Sequence, residues 1–453
     1  MSLLQKLPLI MEKGRESYEM CLLEQEREPL MMTEKVGDSK GNLLVRSDNL
    51  LFMRELLQKN GLKDKIDLVY MDPPFFSKVD YGTDIKISSE IVKKMPVIRQ
   101  HAYYDTWDNG MEDYLIMLTA RFFMIKDLLS RTGSLFIHLD WHVVHYVKII
   151  LDEVFGEKNF INELIWQYKS GGISKRYFGR KHDTLLFYAK TPNYYFEPQF
   201  EKSYNRAYKP YRFKGVKEYR DDLGWYTMVN MKDVWAIDMV GRTSAERTGY
   251  ATQKPEALIE RILLSCTKEG DLVADFFGGS GTLAAVADKM NRRWISCDIG
   301  KSASVKANKR LAAQGAAFDF YEEKVLPEDM ETEAKVKAVL SAVDLTGNSS
   351  LTIDLVSYSY KKLKDLPIEE KYIPAVKRIL DKDSLQLVDY WSIDFHYDGR
   401  TFKPAAFFCR ENGKLAYHIQ SEAETFSRIG LRLVDVFGNS TFMEIKPDKE
   451  DEQ

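Results

Sequence analysis

The segment 271–290, DLVADFFGGSGTLAAVADKM, constrains the fold more than any other part of the sequence. Its pattern predicts a buried strand over 272–277, a glycine-rich turn over 278–281 and a helix over 282–290. Glycines let a ligand approach the backbone closely, and the start of the helix offers unpaired N–H groups. Asp298 ends the next predicted strand, about 20 residues past the loop, where dinucleotide-binding sites place a carboxylate that binds ribose hydroxyls.

The glycine loop leaves the identity of the ligand open. Gly279, Gly281 and Ala284 match the spacing G-x-G-x-x-A, which is typical of nicotinamide- and flavin-binding enzymes. A nucleoside without phosphates, such as S-adenosylmethionine (AdoMet), uses the same geometry. A tight turn without a ligand is the third interpretation, and it is the weakest because strand, loop, helix and distant acid occur together.

Strands and helices alternate on both sides of this loop. Short apolar runs predict strands, and apolar residues at helical spacing predict helices, one of which should end at Gly133. This alternation indicates an α/β, doubly wound, Rossmann-like fold with a mostly parallel sheet and one large insertion over residues 166–250. The predicted strands cover residues 42–45, 66–71, 134–139, 272–277 and 293–297, and the predicted helices cover 50–58, 112–130, 140–155, 255–266 and 282–290.

Length and composition exclude several classes of protein. With 453 residues, of which 44% are hydrophobic, the chain has room for roughly two to three domains and is not intrinsically disordered. No run approaches the ~18 apolar residues of a membrane-spanning helix, and charges interrupt the N-terminal region too early for a secretory signal. The four cysteines are scattered without a C-x-x-C pair, which excludes a zinc knuckle and a disulfide framework. We therefore expect a cytoplasmic protein.

Charge is distributed unevenly along the chain. Between Trp166 and Arg220 the sequence has 13 Lys and Arg residues against 4 Asp and Glu, together with 15 aromatic residues. Basic side chains neutralise phosphates and aromatic rings stack on bases, so this window suits a nucleic-acid surface, although a solvated β region fits its composition equally well. We predict a helical extension over 1–39, an α/β domain over 40–320, an acidic linker or helix boundary after Lys324, and a β-rich domain of unknown role over 330–453.

The tetrapeptide Asp72-Pro73-Pro74-Phe75 follows a predicted buried strand and should lie at the carboxyl edge of the sheet, where open α/β folds bind ligands. Prolines have no N–H, so the Asp72 carboxylate and the nearby carbonyls form a cluster of acceptors beside an aromatic ring. Acceptors that take both hydrogens of a nucleobase amino group expose the nitrogen lone pair, which can then attack the methyl carbon of a sulfonium. Phe75 would stack on the base, which must first be flipped out of the duplex. Taken alone, the tetrapeptide is most simply interpreted as a turn that carries an ordinary aspartate. Because the sequence also has the glycine loop and the basic window, we favour the nucleobase site instead.

The sequence resembles the DNA amino-methyltransferases, an AdoMet-dependent family that modifies adenine N6 or cytosine N4. Within it, the chain is similar to the permuted group in which a D/S-P-P-Y/F motif precedes the AdoMet loop. One departure is Phe276, where the family commonly has proline. The resemblance covers roughly residues 40–315 and rests on Asp48-Asn49, DPPF at 72–75, GSLFIHLD at 133–140, TQKP at 252–255, DFFGGSGT at 275–282 and WISCDIG at 294–300.

The resemblance implies a role for each matching position. Asp72 and the Pro73 carbonyl would bind the target amino group, beside Pro74 and the stacking ring of Phe75. The AdoMet site would have Asp48 near the adenine, Asp298 at the ribose, Thr252 and Lys254 near the methionine end, and Asp275, Phe277, Gly279 and Gly281 around the methionine-side pocket. The insertion would recognise the target sequence over the mouth of the cleft. Its residues Lys175, Arg176, Arg180 and Lys181 are expected to bind DNA.

We therefore expect a site-specific DNA methyltransferase that transfers a methyl group from AdoMet to adenine N6 in double-stranded DNA, within a restriction-modification or related bacterial or phage system. Aspartate rather than serine before the two prolines favours adenine. Cytosine-N4 methylation, a nicotinamide-dependent oxidoreductase and a DNA-binding module without catalysis remain alternatives. Besides double-stranded DNA, candidate partners are a restriction endonuclease subunit and a second copy of the chain, and no membrane is expected.

Other conspicuous residues are assigned to the structure of the domain. His138, His142 and His145 lack the H-E-x-x-H pattern, so packing and helix-start roles are expected and no metal site is predicted. Trp141 and Trp166 are predicted to lie in the core, and Trp235 is left open between core and base contact. The sequence has no Pro-Cys pair for a cytosine-C5 enzyme and no paired cysteines for a zinc deaminase.

Overall fold

The computed structural model describes residues 2–24, 30–78, 80–85, 98–105, 107, 110–169, 175–323, 331–340, 349–366, 368–410, 414–423, 428–446 and 448–449. They form a ten-stranded central sheet together with a two-stranded, a three-stranded and two four-stranded sheets. Within these residues no helix is both long enough and apolar enough to cross a bilayer.

Helices and strands follow one another along the whole chain. Up to residue 323 they are α1 (Leu3–Leu23), β1 (Met31–Val36), β2 (Leu43–Arg46), α2 (Asn49–Gln58), β3 (Ile66–Met71), β4 (Asp80–Ile85), β5 (Ile98–Tyr104), α3 (Met111–Leu128), β6 (Leu129–Leu139), α4 (Val144–Phe155), β7 (Phe160–Gln167), β8 (His182–Ala189), β9 (Phe200–Tyr204), β10 (Glu218–Arg220), β11 (Trp225–Asn230), β12 (Val234–Ala236), α5 (Glu256–Cys266), β13 (Leu272–Asp275), α6 (Thr282–Lys289), β14 (Arg293–Asp298), α7 (Lys301–Ala313) and β15 (Phe318–Glu322). Beyond it they are β16 (Thr332–Leu340), β17 (Ser349–Tyr360), α8 (Ile373–Asp383), β18 (Val388–Asp394), β19 (Ala406–Cys409), β20 (His418–Ala423), β21 (Ile429–Asp435), β22 (Ser440–Ile445) and β23 (Asp448–Lys449). Short 3-10 helices lie at Glu157–Asn159, Arg206–Tyr208, Leu363–Asp365, Glu370–Tyr372 and Ser384–Leu387.

The central sheet has the strand order β1-β15-β2-β14-β13-β3-β6-β8-β7-β12. Its middle strands, from β15 to β6, are parallel. β3 pairs directly with β13, which places Leu68 opposite Val273. Because the carboxyl ends of parallel strands meet at one edge, the DPPF segment and the glycine loop leave neighbouring strands side by side. The predicted doubly wound α/β fold is confirmed.

The middle strands are apolar because helices cover both faces of the sheet. In β3, with the sequence IDLVYM, only Asp67 is partly exposed. Val69 and Met71 belong to the core formed with α1 to α4, whereas Leu68 and Tyr70 belong to the core formed with α5 to α7. Successive side chains of one strand therefore stabilise opposite layers, as the two-residue period of a strand requires.

Several predicted boundaries are wrong. α3 ends at Leu128 and β6 begins at the next residue, so Gly133 lies inside a strand rather than at the end of a helix. A Cβ atom at Gly133 would lie 2.8 Å from the Ile66 carbonyl oxygen, so this glycine permits the close approach of β6 to β3. Residues 31–36 of the predicted helical extension form the edge strand β1, and residues 332–340 form β16 instead of a helix boundary. Of the acidic run PEDMETEAKVK at 327–337, residues 327–330 lie outside the described residues.

The predicted insertion is largely part of the central sheet. β7, β8 and β12 extend that sheet, and only β9 to β11 form a sheet of their own. The connection between β7 and β8, where Gln167 pairs with His182, lies at the carboxyl edge beside the end of β6. At the opposite edge, Tyr195 N donates to Thr132 O. The basic window, residues 166–220, therefore reaches both edges of the central sheet. Its residues 175–181 lie at the carboxyl edge, which also carries the DPPF segment.

The C-terminal strands and α8 enclose a separate hydrophobic core, which also includes Ile85 of β4 and Ile98 of β5. Arg432 in β21 connects them to the α/β part, because its guanidinium lies 2.9 Å from Glu34 Oε1 and 2.8 Å from Glu322 Oε2. Lys309 in α7 pairs with Asp389 in β18 at 2.8 Å. These contacts attach the acidic C-terminal region to the α/β part of the same chain. The division of the chain into domains stays a prediction.

Candidate active site

A cavity of about 590 Å³ opens at the carboxyl ends of β2, β3, β13 and β14. This volume lies within the range of about 300–1,000 Å³ that small-molecule sites occupy. Most of the predicted site residues line it together, namely Asp48, Asp72, Pro73, Pro74, Phe75, Thr252, Lys254, Asp275, Phe277, Gly279 and Asp298. Segments far apart in sequence are thus brought into one site.

Gly281 is the one predicted pocket residue outside this lining. It is the N-cap of α6 with a φ of 71°. A Cβ atom there would approach the Ala307 side chain to 2.9 Å, so the glycine is needed for helix packing. Its contribution to the site is to start α6 in the correct position.

Asp298 is fixed at the end of β14 by backbone donors. Its Oδ2 accepts a hydrogen bond of 2.8 Å from Gly279 N, and its Oδ1 accepts one of 2.7 Å from Gly300 N. A carboxylate oxygen can accept more than one hydrogen bond, so a hydroxyl donor in the cavity can share these oxygens with the backbone donors. This arrangement joins the glycine loop to the predicted ribose-binding acid.

Asp48 caps the start of α2, where its Oδ1 accepts from the N–H groups of Leu50 and Leu51. Its Oδ2 lies 3.1 Å from Arg121 Nη2. Arg121 also donates from Nε to Asn49 Oδ1 at 2.5 Å, and Asn49 Nδ2 donates to the Phe276 carbonyl at 2.6 Å. Burial lowers the pKa of the Arg121 guanidinium, and the charge of Asp48 opposes that shift. A buried cation therefore connects the two loops on the predicted adenine side.

Phe276, the departure from the family pattern, is fully buried in the core on the α1–α4 side. Its backbone carbonyl accepts the hydrogen bond from Asn49. The packed ring and this hydrogen bond hold the turn, which is the function that a proline would otherwise serve.

Asp275 is buried against the cavity and surrounded by other acids. Its Oδ1 accepts a hydrogen bond of 2.9 Å from Phe277 N. Burial raises the pKa of Asp275 well above its usual value; the Phe277 hydrogen bond opposes the shift, and the negative charges of Asp72 and Asp298 add to it. The site therefore has an excess of negative charge, and a cationic ligand would relieve it.

The two carboxylate oxygens of Asp72 have different surroundings. Oδ2 lies 2.5 Å from Lys254 Nζ. Oδ1 is buried, and among the described residues it has no hydrogen-bond donor; His138 Nδ1 is 3.9 Å away. A buried acceptor without a donor is rare in proteins and calls for an explanation.

The carbonyls of the DPPF segment also differ. Tyr114 OH donates a hydrogen bond of 2.7 Å to the Pro74 carbonyl. No donor to the Pro73 carbonyl is found among the described residues. Phe76, the residue after the DPPF segment, has a φ of 57° and so forms a strained turn. The Asp105 carboxylate holds this turn, because it accepts hydrogen bonds from Phe76 N at 3.0 Å and from Ser77 N at 2.6 Å. The Pro73 carbonyl and Asp72 Oδ1 are thus two acceptors of this segment that have no donor among the described residues.

His138 lies behind the DPPF segment and is fully buried. Tyr70 OH is 2.9 Å from its Nδ1 and Asp183 Oδ2 is 3.2 Å from its Nε2, while its ring centre is 5.6 Å from that of Phe75. Burial raises the pKa of Asp183, but the hydrogen bonds from His138 and Tyr168 and the positive charge of Lys254 oppose this and hold the pKa below its usual value. An anionic Asp183 accepts from Nε2–H, and the imidazole supports the Phe75 ring.

Among the residues that the structure describes, no group of three or more His, Cys, Asp or Glu side chains could hold a metal ion.

The basic residues Lys175, Arg176 and Arg180 are exposed, and Lys181 is half-buried. The prediction that Trp141 lies in the core is wrong, because 45% of this residue is exposed and the Arg180 guanidinium lies 3.9 Å from its ring centre. The apolar strand before Trp141 suggests burial, but the chain leaves the sheet at Leu139. Trp166 and Trp235 are buried.

Sequence reasoning missed Arg121, Tyr114, Asn49 and Asp105 as individual site residues. The one available signal is Arg121 itself, a charged residue within the apolar run of the predicted helix 112–130. Tyr114 contacts the Pro74 carbonyl and Asp105 contacts the turn that follows the DPPF segment, and no spacing in the sequence indicates such contacts.

The chain is similar to known proteins in both sequence and structure. Residues 66–309, more than half of the chain, match the family model N6_N4_Mtase, described as DNA methylase. The chain is 29% identical to the type II methyltransferase M.HpaI of Haemophilus parainfluenzae over 59% of this chain and 74% of that protein. It is 28% identical to M2.DpnII of Streptococcus pneumoniae over 63% of this chain and 95% of that protein. Among solved structures, the PvuII cytosine-N4-specific DNA methyltransferase aligns with a TM-score of 0.40 and 16% identity, over 62% of this chain and 89% of that one.

Proposed function

Since the chain belongs to the N6/N4 DNA methylase family, we propose that it transfers a methyl group from AdoMet to adenine N6 at a specific site in double-stranded DNA. Family membership confirms the resemblance and the predicted AdoMet cofactor, and the alternative of a nicotinamide-dependent oxidoreductase is wrong. The proposal adds the target atom, the pocket and the extrusion of the base from the duplex.

The observation that supports the proposal most is the position of Asp72 Oδ1. This oxygen is buried and without a donor among the described residues, and its residue, Asp72, lines the cavity together with the glycine loop and Asp298. An acceptor in that place suits an amino hydrogen of a substrate. The Pro73 carbonyl supplies the second acceptor, because Tyr114 already occupies the Pro74 carbonyl.

The residues of the cavity fit AdoMet. Asp298 offers acceptors for ribose hydroxyls, and the excess of acid around Asp275 suits a ligand that carries a sulfonium and an ammonium group. When bound, AdoMet supplies an electrophilic methyl group on sulfur. Glycine is favoured at position 279, because its φ of 49° is one that other residues rarely adopt and a Cβ atom would lie 3.2 Å from the Tyr250 ring.

The DPPF residues prepare the nitrogen for attack. Asp72 Oδ1 and the Pro73 carbonyl accept the two amino hydrogens, which turns the lone pair away from conjugation with the ring. Phe75 stacks on the flipped base and keeps its amino group at the acceptors. Bound AdoMet would supply the methyl group that the nitrogen accepts and would leave as the neutral thioether, and the Asp72 carboxylate would take the proton that the nitrogen gives up. No metal or covalent intermediate enters this scheme.

Nucleoside analysis tests the proposal. DNA from cells that express the protein is digested and analysed by mass spectrometry, and its modified sites are located by modification-sensitive sequencing. We expect N6-methyladenine in one sequence context, absent from cells with an empty vector. Detection of N4-methylcytosine instead would show that the target is cytosine and not adenine. DNA binding without either methylated nucleoside would identify a DNA-binding module that has lost catalysis.

A further inference from the structure

Lys254 lies at the position that the target base is proposed to occupy. Its Nζ is 2.5 Å from Asp72 Oδ2 and 5.1 Å from the centre of the Phe75 ring. Its side chain is only 10% exposed. The ammonium group therefore pairs with the second carboxylate oxygen of Asp72, beside the Oδ1 that the proposed mechanism assigns to the base, and it lies over the aromatic ring on which the base is proposed to stack.

The backbone of Lys254 is held while its side chain retains several rotatable bonds. Thr282 Oγ1 lies 3.3 Å from the Lys254 carbonyl, and Gln253 is fixed by the N–H of Thr248 at 2.8 Å. Pro255, the next residue, is the N-cap of α5. A flexible four-carbon chain on a fixed backbone lets the ammonium group exchange partners without a loop movement.

A stacked base and this ammonium group compete for the same place. A nucleobase on the Phe75 ring displaces any cation from that face. Displacement alone would leave the Asp72 carboxylate, which is mostly buried, without its counter-ion beside the acids Asp275 and Asp298. An unpaired buried charge is strongly unfavourable, so entry of the base requires another cation near Asp72.

AdoMet carries such a cation together with an anion. Its sulfonium can replace the ammonium as the counter-ion of Asp72, and its carboxylate gives Lys254 a new partner. We infer that Lys254 closes the target-base site in the free protein and opens it when AdoMet binds, so that the cofactor must be present before the base is flipped. This inference rests on the proposed function, and it assigns Lys254 to the order of binding in addition to the cofactor site.

The first test uses the unaltered protein and requires its recognition sequence, read from the methylated sites. A duplex containing 2-aminopurine in place of the target adenine becomes more fluorescent when that base leaves the stack. We expect a several-fold rise with sinefungin, which has a cationic amine near the position of the sulfonium, and little rise without cofactor. S-adenosylhomocysteine, a neutral thioether with the same carboxylate, should give an intermediate or small rise. An equal rise in all three conditions would overturn the inference.

The second test removes the ammonium group. Lys254→Met should flip the base without cofactor, to an extent close to that of the unaltered protein with sinefungin. The matched control is Lys289→Met, because Lys289 pairs with Glu256 at 2.7 Å outside the cavity lining and should leave the cofactor requirement unchanged. If Lys254→Met still needs sinefungin, the inference is wrong even though methylation by the unaltered protein would sustain the proposed function. Absence of methylation by the unaltered protein would instead refute the proposed function.

Discussion

The hydroxyl group of Tyr114 donates a 2.7 Å hydrogen bond to the carbonyl of Pro74, and this contact connects α3 to the DPPF segment. It has two consequences for the site. It takes the Pro74 carbonyl out of use as an acceptor for substrate, and it holds the DPPF segment against α3. Asp105 holds the following turn from the other side. The acceptors for the amino group are therefore preorganised by residues outside the motif.

Removing this contact should slow methyl transfer. Tyr114→Phe deletes a buried hydrogen bond, so we expect stability to fall by about 1–2 kcal/mol and the single-turnover rate by about tenfold. The control is Tyr18→Phe, which deletes the 2.6 Å hydrogen bond to Asp127 but does not touch the DPPF loop. A similar loss of stability with an unchanged rate is expected there. Equal rates for the two variants would argue against preorganisation by Tyr114.

Asp298 should determine the affinity for AdoMet. Asp298→Ala removes the acceptors for ribose and the bonds to Gly279 N and Gly300 N. Because a hydrogen bond to a charged group contributes about 1.5–3 kcal/mol, the dissociation constant for AdoMet should rise at least tenfold. Isothermal titration calorimetry measures this, with Asp288→Ala on α6 as the control outside the cavity lining. An unaltered dissociation constant for Asp298→Ala would remove the ribose assignment.

AdoMet binding should release protons. Burial, assisted by Asp72 and Asp298, raises the pKa of Asp275 above its usual value, so the free protein retains a proton there at higher pH than an exposed aspartate would. A bound cation favours the carboxylate and lowers that pKa, so binding expels up to about one proton and affinity increases with pH. Calorimetry in buffers of different ionisation enthalpy counts the protons. The Asp275→Asn variant should release fewer protons when it binds AdoMet. An unchanged number of released protons would exclude Asp275 as their source.

The basic residues at the carboxyl edge should contribute to the salt dependence of DNA binding. Each phosphate contact adds about 0.9 to the slope of log K against log salt, so changing Lys175, Arg176, Arg180 and Lys181 to alanine should reduce the slope by up to about 3–4. The charge-matched control replaces Lys335, Lys337, Lys362 and Lys364, which are exposed in the C-terminal region. The affinity of each variant for DNA, measured at several salt concentrations, gives the two slopes to be compared. An unchanged slope in the first variant would show that these residues do not contact phosphate.

The middle of the sheet is predictable because its strands are buried on both faces. The strand predicted over residues 66–71 forms β3 with those bounds, because an apolar run of that length between polar loops is typical of a buried strand. The end of α3 is not predictable, because the glycine that resembles a helix stop serves strand packing instead. Trp141 is misplaced because exposure depends on where the chain leaves the sheet, which local pattern does not indicate.

Most of the site could be predicted because its residues follow the ends of adjacent parallel strands. Asp48, Asp72, Asp275 and Asp298 each stand at or just beyond such an end, and the fold alone brings them together. The ion pair of Lys254 with Asp72 could not be predicted, because it depends on the direction of a flexible side chain. The same holds for Arg121, whose partners come from α2 and its N-cap.

The proposed mechanism depends on Asp72 as the acceptor that binds the target amino group, and single-turnover methyl transfer tests this most directly. Asp72→Ala and the unaltered protein are mixed with methyl-labelled AdoMet and duplex DNA, and the labelled nucleoside is identified. We predict N6-methyladenine from the unaltered protein and a rate at least about a hundredfold lower for Asp72→Ala, with part of the AdoMet affinity retained. A near-normal rate of methyl transfer by Asp72→Ala would contradict the mechanism.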